Sequence, residues 1–303
     1  MNIQEFMSLD RFEYYVMALD FIVVLVMLTI MGKAIGLVAN VNSIHELSEK
    51  DNHAFGVSFA GALIALGIML TGAVSGDETI SLLYELSIVS AYGVLGLVLM
   101  VVTRFVLDRI SLPRISIHQQ ILSGNQAAAI LDAANMIATA IIIRAVMMWV
   151  DTESFQGLAF VVLGFVASQF LMIAVTKYRT FVYGRRHNGE CIQAAFEAGN
   201  IALSIRYFGH KVGAALAVTA ASGIVTYSTQ HEFVSAMLWL GASVVMVIIL
   251  SLVSILARHI ILRKVDVVQE VDDQSNIAIG LIEAVIYVVI GLLLAGLFSV
   301  SAY

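Results

Sequence analysis

The sequence predicts an all-α, polytopic membrane protein on three observations. First, 60% of the 303 residues are hydrophobic, only 13% are charged, and the mean hydropathy is +0.94. A soluble domain is nearer half apolar and a quarter charged. Second, apolar runs of about 20 residues, the length a helix needs to cross the hydrocarbon core, recur along the chain. Third, the basic residues collect on alternate loops. Composition excludes a soluble enzyme and a disordered chain, and the net charge of −6 excludes the basic footprint of a nucleic-acid binder. The lone Cys191 cannot form an internal disulfide.

Eight runs have the required length: Tyr15–Val38, His53–Val74, Ile80–Val106, Gln126–Val150, Gln156–Tyr178, Ile201–Val225, Phe233–Ile261 and Ile277–Val300. None alternates in the way a transmembrane strand would. The first is too long for a signal peptide and lacks its basic start and small-residue cleavage site.

Orientation follows from charge. Twelve of the sixteen Lys and Arg lie in or beside the loops that follow odd-numbered runs: Lys33, Lys50, Arg104, Arg109, Arg114, Lys177, Arg179, Arg185, Arg186, Arg258, Arg263 and Lys264. The loops around Asp77, Asp151 and His231 contain none. Basic loops stay in the cytoplasm, so both termini are expected outside and the long linkers inside.

A repeat is visible. Each long linker ends in Asn-x-Ala at Asn52, Asn125, Asn200 and Asn276, with spacings of 73, 75 and 76 residues. Each odd run ends near a basic residue. The unit is an odd helix, a basic stop, a cytoplasmic linker, an Asn and a second helix, copied four times. Residues 1–150 hold units one and two, and 151–303 hold units three and four. Two crossings per unit make the repeats parallel, about an axis along the membrane normal. The asparagines are read as helix N-caps or as a polar ring at the cytoplasmic mouth. Gly plus Ala number 32 in the even runs and 16 in the odd ones. Small residues let helices approach closely in lipid, so the even helices are expected inside. Gly209, Gly213, Ala217 and Ala221 form a ladder on the sixth.

The segment from Glu46 to Gly61, an acidic linker running through Asn52-His53-Ala54 into a Gly/Ala-rich helix, resembles the signature of YjfL-like bacterial inner-membrane proteins of unknown function. The resemblance extends over nearly the whole chain as tandem copies, though Asn125 follows Ser-Gly and Asn276 follows Asp-Gln-Ser. It implies an integral inner-membrane protein and a link with membrane stress. It implies no reaction and carries no catalytic residues.

Ionisable residues at membrane depth cost roughly 2.5–3.5 kcal/mol on insertion scales, so each needs a partner or a role. Asp132 and Glu283 each lie seven residues past the repeat Asn, and Arg206 lies six past. That is roughly 10 Å below the cytoplasmic helix ends. In the first unit Phe59, preceded by Ser58, takes this place. Asn135 and Tyr287 share the helical faces of the two acids, and His210 and Lys211 lie about a turn deeper than Arg206. One reading is a packing cluster in which Arg206 neutralises Asp132, Glu283 or both. Another is an ion or proton site, and a third is a solvated vestibule. Nearer the outer face, Asp20 and Arg144 match in depth, either as a pair or with Arg144 snorkelling alone. Gln169 is expected to bond a neighbouring helix.

The seven histidines lack metal-ligand spacing, and phosphate-binding and nucleophile-elbow motifs are absent. No enzymatic activity, cofactor or metal is expected. The acidic run Asp266, Glu270, Asp272 and Asp273 reads as a solvated linker face or a dock for a basic cytoplasmic partner. The leading expectation is an ion- or proton-conducting channel or transporter. The alternative is an oligomeric membrane scaffold that binds cytoplasmic proteins through its linkers. The bilayer is the expected partner in both, together with further copies of the chain.

Overall fold

The computed structural model describes residues 11–74, 81–150, 157–298, which form helices and their connections with no strand among them. The loops around Asp77 and Asp151 and the two chain ends lie outside the described residues.

Seven helices are long and apolar enough to cross a membrane. They are α1 (Arg11–Ala39), α2 (His53–Ala73), α3 (Leu82–Val106), α5 (Gln126–Trp149), α6 (Gly157–Arg186), α9 (Glu232–Ile261) and α10 (Ile277–Phe298). The sequence predicts an eighth span at α8 (Ile201–Ile224). This helix is formed and has 24 residues, but Arg206, His210 and Lys211 make it too polar to stand with the other seven. The short helices α4 (Ile117–Leu122) and α7 (Ile192–Glu197) lie in the second and third linkers. The first and fourth linkers instead carry π-helical turns at His45–Glu49 and Gln269–Asp273.

The inner helices pack in chain order: α2 on α5, α5 on α8, and α8 on α10. In its most apolar stretch α5 is 83% buried, against 17% for α1 and 22% for α9. Small residues make these approaches possible. A side chain at Gly61 would collide with Ala133, and one at Gly209 would come within 2.6 Å of the Ala284 carbonyl oxygen. A side chain at Gly213 would come within 2.6 Å of the Tyr287 carbonyl oxygen, and one at Gly280 within 2.7 Å of that of Ala202. Backbones in such contact gain dispersion energy and exclude lipid, which is the driving force left once water is absent.

Candidate functional site

The four repeat asparagines cap their helices. Asn52, Asn125 and Asn200 accept from the amides of Phe55, Ala128 and Leu203, and Asn276 accepts from Ala278 and Ile279. Three of them also reach forward. The side-chain amide of Asn52 donates to the carbonyls of Ile121 and Leu122. That of Asn125 donates to Phe196 and Glu197, and that of Asn200 to Val271 and Asp272. Each asparagine thus satisfies an orphan donor of its own helix and orphan acceptors at the end of the next linker's helical turn. This clasp holds successive linkers together beneath the inner helices.

Above it lie two ionic clusters, one in each half of the chain. In the first, Arg104 at the end of α3 grips Asp132 of α5, with Nη2 at 2.6 Å and Nε at 3.1 Å from Oδ2. Ser58 of α2 donates to the same oxygen at 2.6 Å and accepts from Arg104. Asp132 is buried, and it lines a partly open cavity of about 310 Å³ with Arg104, Asp108, Arg109 and His118.

In the second cluster, Arg258 at the end of α9 donates to Glu283 of α10 at 3.1 Å. Arg206 of α8 lies 3.7 Å from the other carboxylate oxygen and binds Asp272 in the linker. His210 Nε2 is 3.8 Å from Glu283 Oε1, and its ring packs edge-on against Tyr287 with centroids 4.0 Å apart. Arg179 of α6 donates to the Tyr287 hydroxyl at 3.0 Å. At the linker surface His187 Nε2 stands 3.6 Å from Asp272 Oδ2. The burial of Asp272 raises its pKa, against the opposing pull of Arg206.

These positions correspond. Asp132 and Glu283 hold one register place, Ser58 and Arg206 another, and Arg104 and Arg258 end their respective odd helices. A polar contact joins the halves: Lys211, fully buried on α8, donates to Asn135 at 3.3 Å and to the Met172 carbonyl at 2.7 Å. Gln169 reaches across to Thr139 of α5 at 3.3 Å.

Several expectations are corrected. Asp132 and Glu283 do not share a cluster: among the described residues Arg206 pairs with Glu283, one of the partners expected for it, and with Asp272, while Arg104 neutralises Asp132. Arg206, His210, Glu283 and Tyr287 do meet, whereas Asn135 turns toward Lys211 and the Thr103 carbonyl. Arg144 donates to Thr71 at 2.8 Å rather than to Asp20, since α2 is the helix packed against its face. Asp272 is not on a solvated face but buried against Arg206. Arg104 and Arg258 were legible only as basic stops. Their spacing of 28 and 25 residues from the acids they grip was the available signal.

No curated protein and no solved structure matches the chain. A family model matches it over three overlapping segments, residues 8–147, 79–221 and 148–298. With nearly all of its length covered in this way, the chain belongs to the family described as Domain of Unknown Function (DUF350).

Proposed function

We propose that this protein is an ion- or proton-conducting channel or transporter of the bacterial inner membrane, akin to YjfL-like proteins, with no enzymatic activity. In this reading α8 is the eighth span. The chain forms four parallel two-helix units, both termini lie outside, and the clasped linkers face the cytoplasm. Lateral burial between α5 and α10 supports a membrane-spanning α8, because its charges then face protein rather than lipid.

The observation that carries the reading is the incomplete bonding of the second cluster. Glu283 Oε2, His210 Nε2 and Asp272 Oδ2 are buried without a hydrogen-bond partner, although ionic partners stand 3.6–3.8 Å away. A cluster that served packing alone would be expected to satisfy these atoms. Carboxylates and imidazoles can take up a proton, and across gaps of 3.6–3.8 Å they pass it through a bridging water. His187 and Asp272 make one such pair at the linker surface and His210 and Glu283 another deeper in, with the Arg206 guanidinium between the two carboxylates. The cavity at Asp132 supplies a second approach from the linker side.

Proton flux into liposomes containing the purified protein tests this. Glu283→Gln and His210→Asn are each expected to reduce flux at least tenfold, and Asp132→Asn to reduce it less. Unchanged flux in Glu283→Gln protein, or a wild-type protein that carries no flux, overturns the reading.

A further inference from the structure

The row of inner helices has two unlike ends, and both present parts of an interface that the chain makes three times within itself. At the α10 end, Asn276 repeats the geometry of Asn52. Its amide bonds the linker glutamate six residues earlier, Glu270 at 2.8 Å, as Asn52 bonds Glu46 at 3.2 Å. Asn52 also reaches the carbonyls of the following linker, whereas among the described residues the Asn276 side-chain amide donates to Glu270 alone.

At the α2 end, the π-helical turn at His45–Glu49 matches the turn at Gln269–Asp273. Both end three residues before an asparagine preceded by a residue with positive φ, Asp51 at 50° and Ser275 at 55°. Asn200 clasps the fourth turn at Val271 and Asp272. The equivalent carbonyls of the first turn are those of Leu47 and Ser48, and no hydrogen bond to them is formed among the described residues.

The helix faces agree with the linkers. Where α8 meets α10, Gly209 rests on Ala284 and Gly213 on Tyr287, while Gly280 and Gly291 receive Ala202 and Gly213. The receiving positions are the fourth, eighth, eleventh and fifteenth after the repeat Asn. On α2 the same positions are Gly56, Ala60, Leu63 and Gly67. Ala60 is exposed, and a side chain at Gly67 would meet nothing within 4 Å. On α10 the positions equivalent to Gly209 and Gly213 are Val285 and Val289, both about half exposed. Apart from Leu63 and its equivalent Tyr287, the receiving positions at the α2 end are small like those on α10, while Val285 and Val289 stand where α8 has glycine and would hold α10 further from its receiver than α8 lies from α10. The odd helices point the same way. α3 packs on α2 and α5, and α9 on α8 and α10, whereas α1 packs on one inner helix, α2, and on α3.

We propose that α2 and the first linker of one copy receive α10 of a second copy, with Asn276 donating to the carbonyls of Leu47 and Ser48. The contact is heterologous, so it propagates head to tail until it closes into a ring. It places Val285 of one copy on Ala60 of the next.

Cross-linking in membranes tests the proposal independently of any transport activity. In a Cys191→Ser background, Ala60→Cys chains and Val285→Cys chains are made separately and also co-expressed with different tags. Oxidation is expected to link the two kinds of chain when they are together, and at least tenfold less when either is alone. Ala60→Trp, at an exposed position that leaves the fold intact, is expected to convert the oligomer to monomers in single-molecule photobleaching. Self-linking of Val285→Cys chains as efficient as the mixed reaction would mean a two-fold interface and overturn the proposal. So would wild-type protein that bleaches in single steps, or properly folded mixtures that fail to link.

Discussion

Asn200 caps its own helix through Leu203 and holds the carbonyl of Val271, 71 residues further on, at 3.1 Å. One buried side chain therefore fixes a helix start and the register between two units. Asn276 caps in the same way, but its side-chain amide donates to Glu270, six residues earlier.

The two asparagines should therefore differ on removal. An N-cap is worth about 1 kcal/mol, and a buried carbonyl left without a donor adds roughly 1–3 kcal/mol. Asn200→Ala is expected to destabilise the protein by about 2–4 kcal/mol and Asn276→Ala by about 1 kcal/mol, measured by unfolding of monomer in detergent. Equal losses would mean that the forward clasp contributes nothing.

Asp132 and Arg104 make a second contrast. Removing one partner of a buried ion pair costs about 3–5 kcal/mol, whereas replacing both with apolar residues of similar volume is often neutral. Arg104→Met should be strongly destabilising, and the addition of Asp132→Leu should restore most of the loss. Ser58 then loses its acceptor, so recovery is expected to be complete only with Ser58→Ala. A double variant no more stable than Arg104→Met would show that the pair is not the source of the loss.

Local signals in the sequence were enough for the caps and for the inner layer. Asn-x-Ala at the start of a Gly/Ala-rich run already specifies an N-cap and a closely packed helix, and Asn125 with α5 shows both. The forward reach of Asn125 to Phe196 was not legible, because nothing near Phe196 in the chain marks its carbonyl as an acceptor. The acids were legible as residues that need partners, but the partners were not. Arg206 was the cation at matching depth, while Arg104 and Arg258 looked like interfacial anchors. A basic residue at a helix end reads as a stop, and only the fold brings Asp132 and Glu283 within reach of these two side chains. Asp272 was misread for a related reason: linker position suggests solvent, and only the fold brings Arg206 over it.

Gly209 and Gly241 separate close packing from composition. A methyl group on Gly209 would stand 2.6 Å from the Ala284 carbonyl oxygen, whereas one on Gly241 meets nothing within 4 Å. Overpacking costs typically about 1–3 kcal/mol, and relief from glycine in a helix gains roughly 0.5–1 kcal/mol. Gly209→Ala should lower stability and Gly241→Ala should leave it unchanged or raise it. The order of the two melting temperatures in one detergent decides the matter.

Glu46 gives the first linker a pH dependence of definite sign. Donation from Lys50 at 2.6 Å, with help from Asn52, holds its carboxyl below the usual glutamate range, against the effect of burial. The folded state therefore binds the proton less readily than the unfolded chain. The stabilisation is fully present above the unfolded pKa and is lost as pH falls through the lower, folded value. Lys50→Gln should move the titration of Glu46 upward, so that the linker loosens at a higher pH than in the wild type. Because Asn52 is bonded to the same carboxylate, hydrogen exchange at the Phe55 amide, which Asn52 caps, reports the change. An exchange profile with the same midpoint in both proteins would show that Lys50 does not hold the Glu46 charge.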